Sequence, residues 1–281
     1  MPSHSPLSSG AISSTRSSRS TTPRSSSSTA TTRACDRERS RLTEATETSD
    51  TETRSWEARF DELRRESVDP RLARFYADGI PAGDTPIGEV PLVALDFETT
   101  GLDPTHDAIV SIGLIPFTLQ RIYCRQGRYR VVKPAVPLSS TSVTIHGITH
   151  SEIEAAPPLD DVLGELLAAL AGRVVVVHYR AIERPFLDHA LRQSLGEGIE
   201  FPVIDTMELE RPVVEAQRGF LDRLMRRPNS SRRLPDCRDR YGLPGYPLHH
   251  ALVDALATAE LLQAQVHHHH APDTPVAELW C

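Results

Sequence analysis

Asp96 and Glu98 stand two residues apart at the end of the apolar run Leu92–Phe97. In an extended strand, residues i and i+2 point to the same side, so the two carboxylates share a face. Burying such a pair without partners is costly. A divalent cation relieves that cost, and carboxylate oxygens favour Mg²⁺ or Mn²⁺. Alone, the D-x-E pattern also describes many solvated strand ends. Glu183 follows the four-valine run Val174–Val177, inside His178-Tyr-Arg-Ala-Ile-Glu183. It falls at the start of a predicted helix, where an anion is favoured whatever its task. His249 and Asp254 are five residues apart in His249-His250-Ala251-Leu252-Val253-Asp254. His249 falls at or just before a helix start, a common place for a cap or surface histidine. Asp254 lies about 130° from the centre of that helix's apolar stripe, at roughly 100° per residue. It can therefore face a cleft while the stripe faces a core.

The elements that must position these residues are legible in the periodicity. Leu92–Phe97, Ala108–Phe117 and Ile122–Val132 read as three consecutive strands, joined by turn residues such as Gly101, Asp103 and Pro104. Leu159, Val162, Leu163, Leu166, Leu167 and Leu170 recur at helical spacing, with Asp160 and Asp161 in the first turn and Gly172 as the stop. Val174–Val177 is a strand buried on both faces. A helix over about Ile182–Leu195 follows, in which Pro185 falls in the first turn and is tolerated there. Val203-Ile204 is a short strand, and residues 206–240 read as helices and loops. The last helix, about 250–266, carries the stripe Leu252, Ala255, Leu256, Ala259, Leu262 and Val266. Hairpin-connected strands followed by βα units give an α/β fold: one mixed β-sheet flanked by helices.

The ends of the chain differ from this body. The first 55 residues hold 16 Ser and 11 Thr, with no aromatic residue before Trp56. Such a segment cannot bury enough apolar surface to offset its ordering entropy, so residues 1–55 read as a disordered N-terminal tail. Its Arg- and Ser-rich composition also resembles an organelle transit peptide, though low complexity explains it equally well. Residues 56–90 read as a helical lead-in, broken at Asp69-Pro70, with a Gly- and Pro-rich linker over 79–90. Residues 91–266 form the main domain, and 267–281 a His-rich tail that could dock on the body or on a partner.

Charge divides in the same way. Residues 1–41 carry seven Arg against Asp36 and Glu38, whereas the whole chain has a net charge of −7. An acidic body does not bind nucleic acid through a general basic surface, but bound metal can supply positive charge locally. The cysteines Cys35, Cys124, Cys237 and Cys281 are scattered and form no C-x-x-C pair, which fits a reducing, cytoplasmic setting. No apolar run approaches the ~18 residues of a membrane span. Aromatic residues are only 5% of the chain, so no extended aromatic surface is evident.

Taken together, D-x-E, an acid after a valine strand and H-x₄-D on a late helix resemble, in order and spacing, the DEDDh (DnaQ-like) 3′–5′ exonucleases. These include the epsilon subunit of bacterial DNA polymerase III, ribonuclease T and oligoribonuclease. The resemblance covers about residues 90–266, and Leu95-Asp-Phe-Glu-Thr-Thr-Gly-Leu-Asp-Pro104 is similar to the family's first motif nearly letter for letter. Ile145-His-Gly-Ile-Thr149 and Ile204-Asp-Thr-Met-Glu-Leu209 also resemble family segments. The resemblance implies a ribonuclease H-like fold. It implies metal binding by Asp96, Glu98, Glu183 and Asp254, with His249, not His250, as general base. It also implies a terminal-nucleotide site lined by Thr99, Thr100, Leu102 and His146. At Glu183 the family usually has Asp, within a segment like H-N-A-x-F-D; here Tyr179, Arg180 and Ile182 replace Asn, Ala and Phe. Asp188 is about 140° round the helix from Glu183 and should face away.

The implied reaction is two-metal hydrolysis of the 3′-terminal phosphodiester, with two Mg²⁺ or Mn²⁺ ions about 3.5–4 Å apart. An ordinary histidine, with a pKa near ~6.5, is mostly neutral at pH 7, as a base must be. The implied partners are single-stranded DNA or RNA 3′ ends. The products would be nucleoside 5′-monophosphates. Two other readings stand beside this one: a catalytically impaired nucleic-acid-binding or scaffolding subunit, motivated by Glu183, and an oligoribonuclease for short RNA. The tract His267–His270 reads as an adventitious metal-binding stretch.

Overall fold

The computed structural model describes residues 55–134, 148–217, 230–247 and 249–281. The expected disordered tail falls, but for Ser55, outside the described residues. The body, Thr53–Cys281, is a unit of its own.

Helices α1 (Trp56–Glu66) and α2 (Pro70–Ala77) lead in, capped by the Ser55 hydroxyl and the Asp69 carboxylate. Pro70 opens α2, where a missing N–H leaves nothing unpaired. The sheet comprises β1 (Leu92–Thr99), β2 (Ile109–Phe117), β3 (Arg128–Val131), β4 (Val174–Val177) and β5 (Val203–Asp205), in the order β3-β2-β1-β4-β5. β1–β2 and β2–β3 pair antiparallel, whereas β1–β4 and β4–β5 pair parallel. The C-terminal ends of β1, β4 and β5 therefore share one edge. The helices are α3 (His150–Ala155), α4 (Leu159–Leu170), α5 (Arg180–Leu195), α6 (Thr206–Gln217), α7 (Leu234–Arg240) and α8 (Ala251–His269).

Alternation along the strands sorts side chains into two layers. Val93, Leu95 and Phe97 of β1 pack with Val175 and Val177 of β4 against Leu72, Leu163, Leu167 and Leu187 from α2, α4 and α5. Leu92, Ala94, Val174 and Val176 face Ala255, Ala259 and Leu262 of α8. The four-valine strand is buried on both faces, as expected.

Four expectations need correction. The third strand begins at Arg128, not Ile122, because a 3₁₀ turn over Cys124–Gln126 interrupts it; Ile122 makes only a single bridge to Phe117. Residues 79–90 are not a free linker: Ile87 and Val90 are fully buried, and the Ile87 and Gly88 N–H groups donate to Thr274 and Pro272 carbonyls. α5 begins at Arg180, so Pro185 is in its second turn; the Ala181 carbonyl it leaves open belongs to an exposed residue that water can reach. α8 runs on through His269 and is buried beyond one stripe, because Ala257 and Leu261 pack under α7 through Leu234 and Cys237.

The C-terminal stretch docks on the body. Trp280 bridges Ile204, and Cys281 exchanges both backbone hydrogen bonds with Val203 (2.9 and 3.2 Å). No helix among the described residues is long and apolar enough to cross a membrane.

Candidate active site

The alternation that buries Leu92 and Ala94 beneath α8 carries Asp96 and Glu98 to the same side, at the strand's open end. Asp96 lies opposite Gly113 of β2, and Glu98 opposite Ser111. Gly113 is decisive here: a Cβ at that position would overlap the Ala251 carbonyl and the Leu252 nitrogen. Bare backbone at Gly113 thus lets the first turn of α8 rest directly on the sheet. Asp254, in that turn, is delivered to the two strand acids. One carboxylate oxygen from each of Asp96, Glu98 and Asp254 lies within 4.8 Å of the others.

Burial and mutual repulsion make this an unfavourable place for bare charge. Asp96 is held well above the ordinary carboxylate pKa range, first by desolvation and then by the charges of Glu183, Asp254 and Glu98. Asp254 is also raised by burial, against the lowering effect of the His249 backbone N–H. Glu183, 3% exposed, is raised by burial and by the nearby Asp205 carboxylate. Asp254 Oδ1 and Glu183 Oε2 are buried with no hydrogen-bond partner among the described residues. Orphaned carboxylate oxygens beside a three-acid cluster suit hard divalent cations, which bind through oxygen. The residues present therefore fit a metal centre.

Glu183 reaches the cluster differently. It is not in the 4.8 Å group, although its charge acts on Asp96. It sits on α5, whose apolar residues Phe186, Leu187 and Leu191 pack on the opposite layer from α8. Its carboxylate must therefore approach over the sheet edge. The turn that launches α5 is strained: Tyr179 has φ 101° and ψ 75°. Buried Asp205, at the end of β5, accepts hydrogen bonds from the N–H groups of Tyr179 (3.1 Å) and Arg180 (3.0 Å). The same carboxylate takes the Met207 N–H (2.9 Å) at the start of α6. Asp205 thus clasps two helix starts together. Asp188 is engaged elsewhere, with Arg192 and the Ile199 N–H.

His249 is exposed, with a left-handed φ of 67°, and its N–H donates to Asp254 Oδ2 (2.9 Å). Its side chain lies near enough to Asp254 to work against the rise that burial causes in that carboxyl's pKa. The loop before it is tied to α8 by the buried Arg238, whose guanidinium donates to the Ala257 carbonyl (2.6 Å), the Pro244 carbonyl (2.8 Å) and Glu260 (2.7 Å) and stacks over Tyr246. His250 instead stacks on Tyr129, with ring centroids 4.3 Å apart.

Of the expected terminal-nucleotide contacts, the Thr99 hydroxyl donates to the Gly101 carbonyl. The Thr100 hydroxyl donates to Asp107 and accepts the Ala108 N–H. Both hydroxyls thus shape the turn that presents Leu102, which is 79% exposed. His146 lies outside the described residues, as does most of Ile145–Thr149. Gly113, Asp205 and Arg238 are not among the site residues expected from the sequence. For Asp205 a signal was available, since Asp-Thr between a strand and a helix is an N-cap pattern. Gly113 and Arg238 act through contacts distant in sequence and left no local trace.

The RNase_T family model, described as an exonuclease, matches residues 93–262, which include all four acids and His249. The chain belongs to the DnaQ-like 3′–5′ exonuclease family. Over 178 residues this exonuclease domain is 30% identical to the PolC-type DNA polymerase III of Thermotoga maritima, covering 63% of this chain and 12% of that protein. It is 31% identical over 179 residues to a DNA polymerase III subunit epsilon-like protein of Rhodobacter capsulatus, covering 63% of this chain and 24% of that one. The matched region is thus a minor part of either relative. The fold also resembles the nuclease domain of 3′hExo, a DEDDh family member solved bound to rAMP, with a TM-score of 0.51, 16% identity, and coverage of 64% of this chain and 92% of that one. The acids that this exonuclease domain brings together, Asp96, Glu98 and Asp254, form a cluster that could hold a metal ion.

Proposed function

We propose that the chain is a metal-dependent 3′–5′ exonuclease that removes the terminal nucleotide from single-stranded DNA or RNA as a nucleoside 5′-monophosphate. The observation that carries this reading is the convergence of Asp96, Glu98 and Asp254 within 4.8 Å, with Glu183 acting on Asp96 from the facing helix. The rAMP bound to 3′hExo, a nucleoside monophosphate, is consistent with such a product.

Asp96, Glu98, Glu183 and Asp254 would hold two divalent cations, Mg²⁺ or Mn²⁺. When bound, these activate water and stabilise the charge on the leaving 3′ oxygen. The four acids contribute a charge of about −4, which two dications neutralise, so an anionic strand can approach an acidic cluster. His249 accepts the proton of the attacking water as the new P–O bond forms and the P–O3′ bond breaks. Its exposed position at the mouth of the cluster suits that task. The His249 N–H bond to Asp254 couples the base to the metal-binding acids. Leu102 and the turn made by Thr99 and Thr100 would meet the terminal nucleotide, with His146 as a further contact.

The test uses 3′-labelled strands. Asp96→Ala and His249→Ala should each abolish Mg²⁺-dependent mononucleotide release with an unchanged circular-dichroism spectrum. Wild-type rates in either variant would reject the reading. Saturable Mn²⁺ binding by the wild type separates an active nuclease from a scaffold, which would show no such site.

A further inference from the structure

Three large apolar side chains stand exposed among the described residues: Val68, Leu102 and Tyr179. Two of them flank the acid cluster. Leu102 lies in the connection from β1 to β2, and Tyr179 stands two residues beyond the end of β4, before α5. In the order β3-β2-β1-β4-β5, these are opposite sides of the strand that bears Asp96 and Glu98. Ala94 pairs with Val176, so two residues further on Asp96 is level with His178. Tyr179 therefore leaves the sheet within one residue of the level of Asp96.

The Tyr179 backbone is held in a conformation that side chains other than glycine rarely adopt, with φ at 101°. The Asp205 clasp on its N–H maintains that conformation, and the ring is left 46% exposed. An exposed aromatic ring on a strained, pinned backbone serves no packing purpose, and strain of this kind gathers at functional sites.

We propose that Tyr179 is a substrate-binding residue, its ring stacking on the base of the penultimate nucleotide. This rests on the exonuclease reading above. The scissile phosphate joins the last two nucleotides and must sit over the acids. With the terminal nucleotide on the Leu102 side, the strand leaves across β4, and the next base meets Tyr179. A phenol ring offers a π-face to any base, so the contact tolerates sequence.

The test compares single strands that carry either a base or an abasic site at the penultimate position. kcat and KM are measured with Mn²⁺ for the wild type, Tyr179→Phe, Tyr179→Ala and Tyr179→Gly. Removing a stacked base contact should raise KM about tenfold in the Ala and Gly variants on the intact strand. On the abasic strand their deficit should shrink to within about twofold, and Phe should behave as the wild type on both. Tyr179→Gly should also raise the melting temperature, because glycine accepts the positive φ without strain. That gain separates a base contact from support of the fold. Equal KM values for wild type and Tyr179→Ala on the intact strand would overturn the assignment, as would an equal deficit on both strands. Hydrolysis of the p-nitrophenyl ester of thymidine 5′-monophosphate, which has no second base, checks the exonuclease reading separately. If the wild type cleaves none of the three substrates, that reading fails. Fluorescence anisotropy of the two labelled strands then decides the Tyr179 contact: tighter binding of the intact strand, lost in Tyr179→Ala, supports it, and equal binding overturns it.

Discussion

Asp96, Glu98 and Asp254 are held by packing, whereas Glu183 hangs from a turn. On the α8 side, strand alternation and the bare backbone of Gly113 bring sheet and helix into direct contact, and three carboxylates follow from that geometry. On the α5 side, a strained Tyr179 and a Pro in the second helical turn launch the helix, and Asp205 holds the launch in place. The stretch that carries the first arrangement, Leu95–Pro104, resembles the family's first motif nearly letter for letter. The second departs from the family's usual segment at Tyr179, Arg180, Ile182 and Glu183. Close packing fixes the first three acids directly, whereas the position of Glu183 depends on one carboxylate holding one turn.

The contrast can be broken at Gly113. Gly113→Ala forces α8 off the sheet; overpacking of this kind costs about 1–3 kcal/mol of stability. A shift of about 1 Å in reacting groups can cost roughly 100-fold in rate. Chemical denaturation and kcat should therefore both suffer, and wild-type kcat would refute the packing argument. Asp205→Ala probes the other half. It should lower kcat by about tenfold or more through Glu183, while saturable Mn²⁺ binding by the remaining three acids persists. Complete loss of that binding would show that the halves are not separable. Glu183→Asp sharpens the same point, because it shortens the arm without removing the charge. Activity at or above wild type supports a metal role, and Glu183→Ala behaving as wild type removes it.

Metal should also change the pH dependence of stability. Asp96, Glu183 and Asp254 have folded-state pKa values above those of the unfolded chain. Their contribution is present below about pH 4 and is lost as pH rises through the raised folded values. Mn²⁺ replaces the protons, so it should raise the melting temperature more at pH 8 than at pH 5. An equal rise at both pH values would contradict the clustering. The smallest effect is expected at Arg238→Lys, which keeps the charge but cannot make all three donations. kcat should fall a few-fold through His249, with Mn²⁺ affinity unchanged.

Much of this was readable from local pattern. β1, β4, α4 and the start of β5 announce themselves by apolar period, and the clustered acids Asp96, Glu98 and Asp254 by spacing. What escaped was non-local. The Gly- and Pro-rich stretch before β1 reads as a linker because nothing nearby reveals that Ile87 pairs with Thr274 and Gly88 with Pro272. Alternation in Ile122–Val132 suggested one strand, since a 3₁₀ turn at Cys124–Gln126 has no strong sequence mark. The start of α5 was placed two residues late, because a tyrosine in a left-handed conformation is not an ordinary helix signal.

The pairing of Cys281 with Val203 has a practical consequence. β5 borders the sheet, and its three residues are all buried. The final residues seal that border by occupying the Val203 backbone groups. A protein shortened to His270 would present a naked, water-averse strand flank, the usual template for chain-to-chain adhesion. Such a truncation is expected to self-associate on size-exclusion chromatography.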